Sequence, residues 1–95
     1  MAYVRVVYWR EIPSLVEAFE NGETVRIPLS SRFQELIDLV AMKESASESH
    51  DYLDGWRQGP LVSRAGSPRE AGAEVASEIE ASFPILRQKF LPSAT

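Results

Sequence analysis

The sequence predicts an α+β fold: an antiparallel sheet of three or four strands from the first third of the chain, with helices packed mainly on one of its faces. Three observations carry this. Period-two alternation of β-branched and aromatic residues is confined to residues 3–29. From Ser31 onward apolar residues recur at three- and four-residue spacing instead. Two capping-box patterns, Ser31-Arg32-Phe33-Gln34 and Ser67-Pro68-Arg69-Glu70, stand where that spacing begins anew. The expected order is β-β-β-α-α-(β)-α.

The first strand runs from Tyr3 to Trp9. Val4, Val6 and Tyr8 lie on one face and Tyr3, Arg5, Val7 and Trp9 on the other. A strand apolar on both faces belongs in the middle of a sheet, and Ile12-Pro13 stops it, since Pro donates no ladder hydrogen bond. Leu15 to Glu20 and Glu23 to Leu29 then flank Asn21-Gly22, the dipeptide suited to the positive φ angles of a two-residue type I′ hairpin. That turn places Glu20 opposite Glu23, Ala18 opposite Val25, Glu17 opposite Arg26 and Val16 opposite Ile27. One face thereby becomes apolar, while Glu17 and Arg26 pair across the other, which Leu15 and Phe19 share.

In the first helix the hydroxyl of Ser31 is placed to accept the N3 amide, with Gln34 reaching back to the cap. Phe33, Leu36, Ile37, Val40 and Ala41 form the stripe that covers the sheet. A small polar loop over 44–47 precedes a shorter helix, opened by His50 and Asp51, presenting Tyr52, Leu53 and Trp56 and ending at Gly59-Pro60. Leu61-Val62 fits either a brief edge strand or an apolar clip in a loop. Ser67 caps the last helix, with Pro68 at the position where a missing amide costs least. Its stripe of Ala71, Val75, Ile79, Phe83, Leu86 and Phe90 stays in phase through Pro84, which predicts a kinked helix, because Pro84 deprives the Glu80 carbonyl of its partner.

Composition narrows the function. Ninety-five residues make one domain, and a core of this size leaves little room for a deep pocket. Fourteen acidic against ten basic side chains give a net charge of -4, the wrong sign for holding nucleic acid by phosphate neutralisation. The Tyr3, Arg5, Val7 and Trp9 face could imitate an RNA-stacking sheet, but the acidity argues against it. No Cys is present and only one His, so thiolate and His-pair metal sites are excluded. Asp38, Glu44, Glu48, Asp51 and Asp54 read as a solvated acidic face, since no DxDxDG-type calcium loop is present. His50 and Asp51, as helix neighbours, point in different directions, and no catalytic constellation is visible. Neither Gly-rich phosphate fingerprint occurs. The sequence implies no enzyme, no cofactor and no metal. The beginning alternates apolar with charged residues, unlike a secretory signal, and no apolar run approaches a membrane span. We therefore expect a cytoplasmic protein.

Six short pieces stand in order over most of residues 4–57: Tyr8-Trp9-Arg10 followed by Ile12-Pro13, then Arg32-Phe33-Gln34, Ile37-Asp38, Ala41-Met42-Lys43, and Tyr52-Leu53 with Trp56-Arg57. In order and spacing they resemble a bacterial domain family labelled virulence factor, whose small domain also occurs with HEAT-like repeats in conserved virulence factor C. Glu11 stands where the family usually has Asp, Ser30 where Pro is common and Ser45 where Gly is common, departures that touch local turns. The resemblance implies an accessory or adaptor module with a link to virulence, and assigns no reaction. One such domain is expected over 1–92, from length, with 93–95 as a frayed C-terminus.

The candidate site is arginine beside tryptophan. Trp9-Arg10 ends the first strand, Trp56-Arg57 ends the second helix and Arg32 opens the first, so these five residues sit at element ends, where chain segments often meet. A guanidinium fork suits carboxylate or phosphate, an indole offers a stacking platform, and both are enriched at protein-protein hot spots. Three readings follow: core indoles with rim ion pairs, a protein interface, or a small anion site. The expected function is a noncatalytic interaction domain with a protein partner, either a HEAT-repeat protein or a second copy joined through an exposed helix or strand edge. The alternative is an accessory subunit of an enzyme system with an Arg- and Trp-lined site for a small anion.

Overall fold

A computed structural model describes residues 1–43 and 49–91. The expected loop over 44–47, the carboxylates of Glu44 and Glu48 and the expected frayed end over 93–95 lie outside the described residues. The elements are β1 (Ala2–Trp9), β2 (Ile12–Glu20), β3 (Glu23–Pro28), α1 (Ser31–Lys43), α2 (Ser49–Asp54), β4 (Trp56–Gln58), β5 (Val62–Arg64), α3 (Pro68–Ala81) and α4 (Phe83–Phe90). The fold is α+β with an antiparallel sheet, as expected, and its five strand segments include two short ones, β4 and β5, that share one edge of β1.

The β2-β3 hairpin follows the predicted register at every rung from Glu20 opposite Glu23 to Val16 opposite Ile27. Asn21 and Gly22 hold φ of 50° and 81°, as a type I′ turn requires. β1 is central, with β2 along one edge and both β4 and β5 along the other. Val7 lies opposite Gln58 and Val4 opposite Val62, so two residues of β1 face three residues, Gly59, Pro60 and Leu61. β4 and β5 are therefore one edge strand interrupted by a bulge, where the missing amide of Pro60 costs no ladder bond. The Gly59 amide still donates to the Val6 carbonyl at 2.8 Å.

Helices cover one sheet face. Val4, Val16 and Ala18 meet Phe33, Leu36, Ile37, Val40 and Ala41 of α1, all five predicted residues being buried, and Ala71 and Ala76 of α3. Each fully buried Leu, Ile or Phe contributes about 1.5–3 kcal/mol, so this layer dominates the stability. Phe33 and Phe83 join α1 to α4 edge to face at 4.9 Å.

Five expectations are corrected and one open choice is settled. Ile12-Pro13 opens β2, and the stop lies earlier, at the two-residue turn Arg10-Glu11. Trp9 is fully buried among the helix-side residues rather than sharing the face of Tyr3 and Arg5, because the register shifts between Val7 and Tyr8 and re-aims the strand end. α1 lacks the predicted capping box: Gln34 donates to Asp38 Oδ1 and the Tyr52 hydroxyl. The cap comes instead from Glu80 of α3, whose carboxylate accepts from the Ser30 amide at 2.6 Å and the Ser30 hydroxyl at 2.8 Å. α2 ends at Asp54, well before Gly59-Pro60, and Trp56-Arg57 stand on a strand. The last helix breaks at Ser82 into two instead of kinking, with Pro84 in the first turn of α4. The open choice at Leu61-Val62 resolves as β5, with Leu61 outside it. The capping box of Ser67 and Glu70 forms as predicted, at 3.1 and 3.2 Å.

Candidate functional site

The arginine-tryptophan cluster forms where β1 ends, and it gathers four of its five predicted members. β1 delivers Trp9 into the core, and the tight connection to β2 leaves Arg10 at φ 55°, a conformation uncommon for a residue with a side chain. Two backbone groups hold it there. The Arg10 amide donates to the Gly55 carbonyl at 2.7 Å, and the Arg10 carbonyl accepts from Nε of Arg57 at 2.7 Å. The Arg10 guanidinium lies 4.6 Å from the Trp9 ring, and that of Arg57 lies 4.5 Å from the ring of Tyr8.

Beneath the arginines is an aromatic series. Nε1 of Trp9 donates to the Tyr52 carbonyl at 2.8 Å, satisfying the only polar atom of a fully buried indole. The Trp9 and Tyr52 rings lie 5.7 Å apart, and Tyr52 meets half-buried Trp56 edge to face at 5.9 Å. Trp9 and Trp56 are also direct cross-strand partners. At the surface Arg10, Asp54, Gly55 and Arg57 line an open cleft of about 360 Å³. Arg57 is exposed and Arg10 is half-buried. Chemically the cleft sets two planar cations beside one carboxylate, groups suited to hydrogen-bonding an acidic group.

Arg32 stands apart. Its terminal nitrogen donates to the Glu80 carbonyl at 2.7 Å and to Oε1 of Glu80 at 3.0 Å, and its guanidinium stacks on Phe83 at 4.4 Å. The Glu80 carbonyl is the one to which Pro84 has no amide to donate, and the Ser82 amide and Arg32 bond to it instead. It joins α1 to the α3-α4 junction and is no part of the cleft. Sequence reasoning missed Tyr8 and Gly55 as parts of the site, and read Asp54 as part of a solvated acidic face with the option of a rim ion pair. An Asp-Gly dipeptide is a turn signal, and reading Asp54-Gly55 as one would have ended α2 there and placed Trp56 and Arg57 on a strand. Among the described residues no group of three or more His, Asp or Glu side chains could hold a metal ion.

Fold and site together define a two-layer α+β domain with an arginine-lined cleft at the end of its central strand. The chain belongs to the virulence factor family, whose sequence model matches residues 7–91 and so takes in the cleft and every helix. No curated protein and no solved structure matches the chain. Among the described residues no helix is long and apolar enough to cross a membrane.

Proposed function

We propose that the chain is a noncatalytic accessory domain, bacterial and cytoplasmic, that acts by binding a protein partner and through it contributes to virulence. The observation behind this reading is the exposed Arg57 guanidinium, held beside an Arg10 whose backbone is kept at φ 55° by Gly55 and Arg57. A backbone outlier maintained by two hydrogen bonds at a surface cleft is the mark of a preorganised site. A small anion is the second reading, supported by the two guanidiniums in one cleft; Asp54 on the same wall opposes it and favours a partner that brings both an acid and a donor. A HEAT-repeat protein and a second copy are the partners to look for first.

The test is a tagged pull-down from the native bacterium, read by mass spectrometry, with wild type, Trp56→Ala and Arg57→Glu baits of verified fold. We expect one partner to be retained by wild type and depleted at least about tenfold by Arg57→Glu, as for a hot-spot arginine. The same proteins on every bait, or none, would remove the cleft from the interface. Calorimetry with sulfate and citrate decides the second reading.

A further inference from the structure

We propose that the sheet face opposite the helices docks an extended acidic segment of a partner protein, a site separate from the cleft at Arg57. The register defines this face. Tyr3 lies opposite Phe19, Arg5 opposite Glu17 and Glu17 opposite Arg26, and Val7 opposite Leu15. None of these residues belongs to the core cluster formed with the helices, and Tyr3 is 52% exposed. Among the described residues no helix covers them.

The middle rung gives the face its charge. Glu17 is only 5% exposed although it lies on an uncovered face, because two arginines fold over it. Nε of Arg5 donates to one carboxylate oxygen at 2.8 Å and Nε of Arg26 to the other at 2.9 Å. Arg5 also lies over the Phe19 ring at 4.9 Å. Each arginine thus spends its Nε internally, and its terminal amino groups remain the donors with which a guanidinium takes a carboxylate. Two cations against one anion leave this rung at +1 in a chain whose net charge is -4.

Charge and spacing select the occupant. The cationic rung sits between an aromatic rung and an aliphatic one, two residues apart along the strands, or about 7 Å each way. An extended peptide presents alternate side chains at the same repeat, so an apolar-x-acid-x-apolar segment laid along β1 and β2 meets all three rungs in step. A hollow of about 280 Å³ at the hairpin end, lined by Tyr3, Phe19 and Thr24 together with Glu20 and Glu23, gives a place to one uncharged apolar side chain and keeps the acid of the segment at the Arg5-Arg26 rung. A second copy of this same face is disfavoured, because it would set one +1 rung on another.

The probe is the acetylated peptide Leu-Thr-Glu-Thr-Phe, titrated into the isotope-labelled full chain and followed by backbone amide shifts. We expect saturable shifts over residues 3–7 and 15–19, weakened at least about fivefold when the central Glu is replaced by Lys and in Tyr3→Ala. Removing the arginines alone would strand a buried carboxylate, so the charge is removed as Arg5→Thr/Glu17→Thr/Arg26→Thr, its fold checked by thermal melting, and this variant should lose binding. Arg57→Glu should bind as wild type, which separates this site from the cleft. Equal shifts with the Lys peptide, shifts elsewhere on the chain, or no shift at millimolar peptide would overturn the proposal. Saturation of the same amides by oligothymidylate would overturn it in favour of nucleic acid, and dimerisation seen by sedimentation and abolished by Tyr3→Ala would overturn it in favour of a second copy.

Discussion

Gly55 decides where the indole of Trp9 can sit. A methyl group at this position would stand 2.5 Å from Nε1 of Trp9, inside van der Waals contact with a ring that has no room to retreat. Gly55→Ala should therefore cost about 1–3 kcal/mol in urea denaturation, the usual penalty of overpacking, and loosen the Trp9 bond to the Tyr52 carbonyl. A shift of Trp9 fluorescence in the folded variant would accompany the loss; unchanged stability and emission would show that α2 yields instead. At this scale the sequence was legible in part. Trp9, Arg10, Trp56 and Arg57 come together, as their places at element ends suggest. Burial of the indoles is among the readings the sequence offers, but the placing of Trp9 on the helix side is not legible, since strict alternation along β1 holds only up to the irregularity after Val7. Arg32 shares their place at an element end, yet its partner lies 48 residues away at Glu80.

Helix starts show two ways of satisfying the same orphan amides. α3 is capped locally, by Ser67 and Glu70 three residues apart, and this was readable in the sequence. α1 is capped at long range, by the carboxylate of Glu80, and no local pattern could announce it. Glu80→Ala should cost about 1 kcal/mol, as lost caps do. It should also speed hydrogen exchange at the Ser30 amide while leaving α3 protected. Equal loss of protection in α1 and α3 would mean that the two helices open as one unit. The short strand β4 escapes detection for a related reason, and β5 is legible only as one of two readings of Leu61-Val62. Three residues carry no periodicity, and Trp56 four positions after Tyr52 suits a helix face as well as a strand. The hairpin was legible to the rung because Asn-Gly fixes both turn type and register locally.

For the molecule as a whole, acid is the expected weakness. Hydrogen bonding from Arg5, assisted by Arg26 and opposed by burial, holds the Glu17 carboxyl below its ordinary value of 4.5. Glu80 is also held low, where bonds from Ser30 and Arg32 outweigh desolvation. The Ser67 backbone lowers Glu70, and Arg64 lowers Glu78. A depressed folded-state pKa means that the unfolded chain binds the extra protons, so the stability is fully present above about 4.5 and drains away as pH falls through the folded values. The melting temperature should stay nearly level from pH 7 to about pH 5 and drop below it, with a shallower acid limb in Glu17→Gln. A level profile down to about pH 3 would show these pairs to be energetically silent. The global fold was the most legible level of all, because fold class follows from where periodicity changes from two to three and four. The strand order was less so, since the partners of the β1 edge lie far along the chain. That placement also sets a schedule for synthesis. The central strand leaves the ribosome ahead of β2 and β3, which follow almost at once, but its other edge waits for residues 56–64. At about 5–20 residues per second that is roughly 3–10 seconds of an open hydrogen-bonding edge. The nascent chain is therefore most exposed to mispairing and to chaperone capture before its second half has been made.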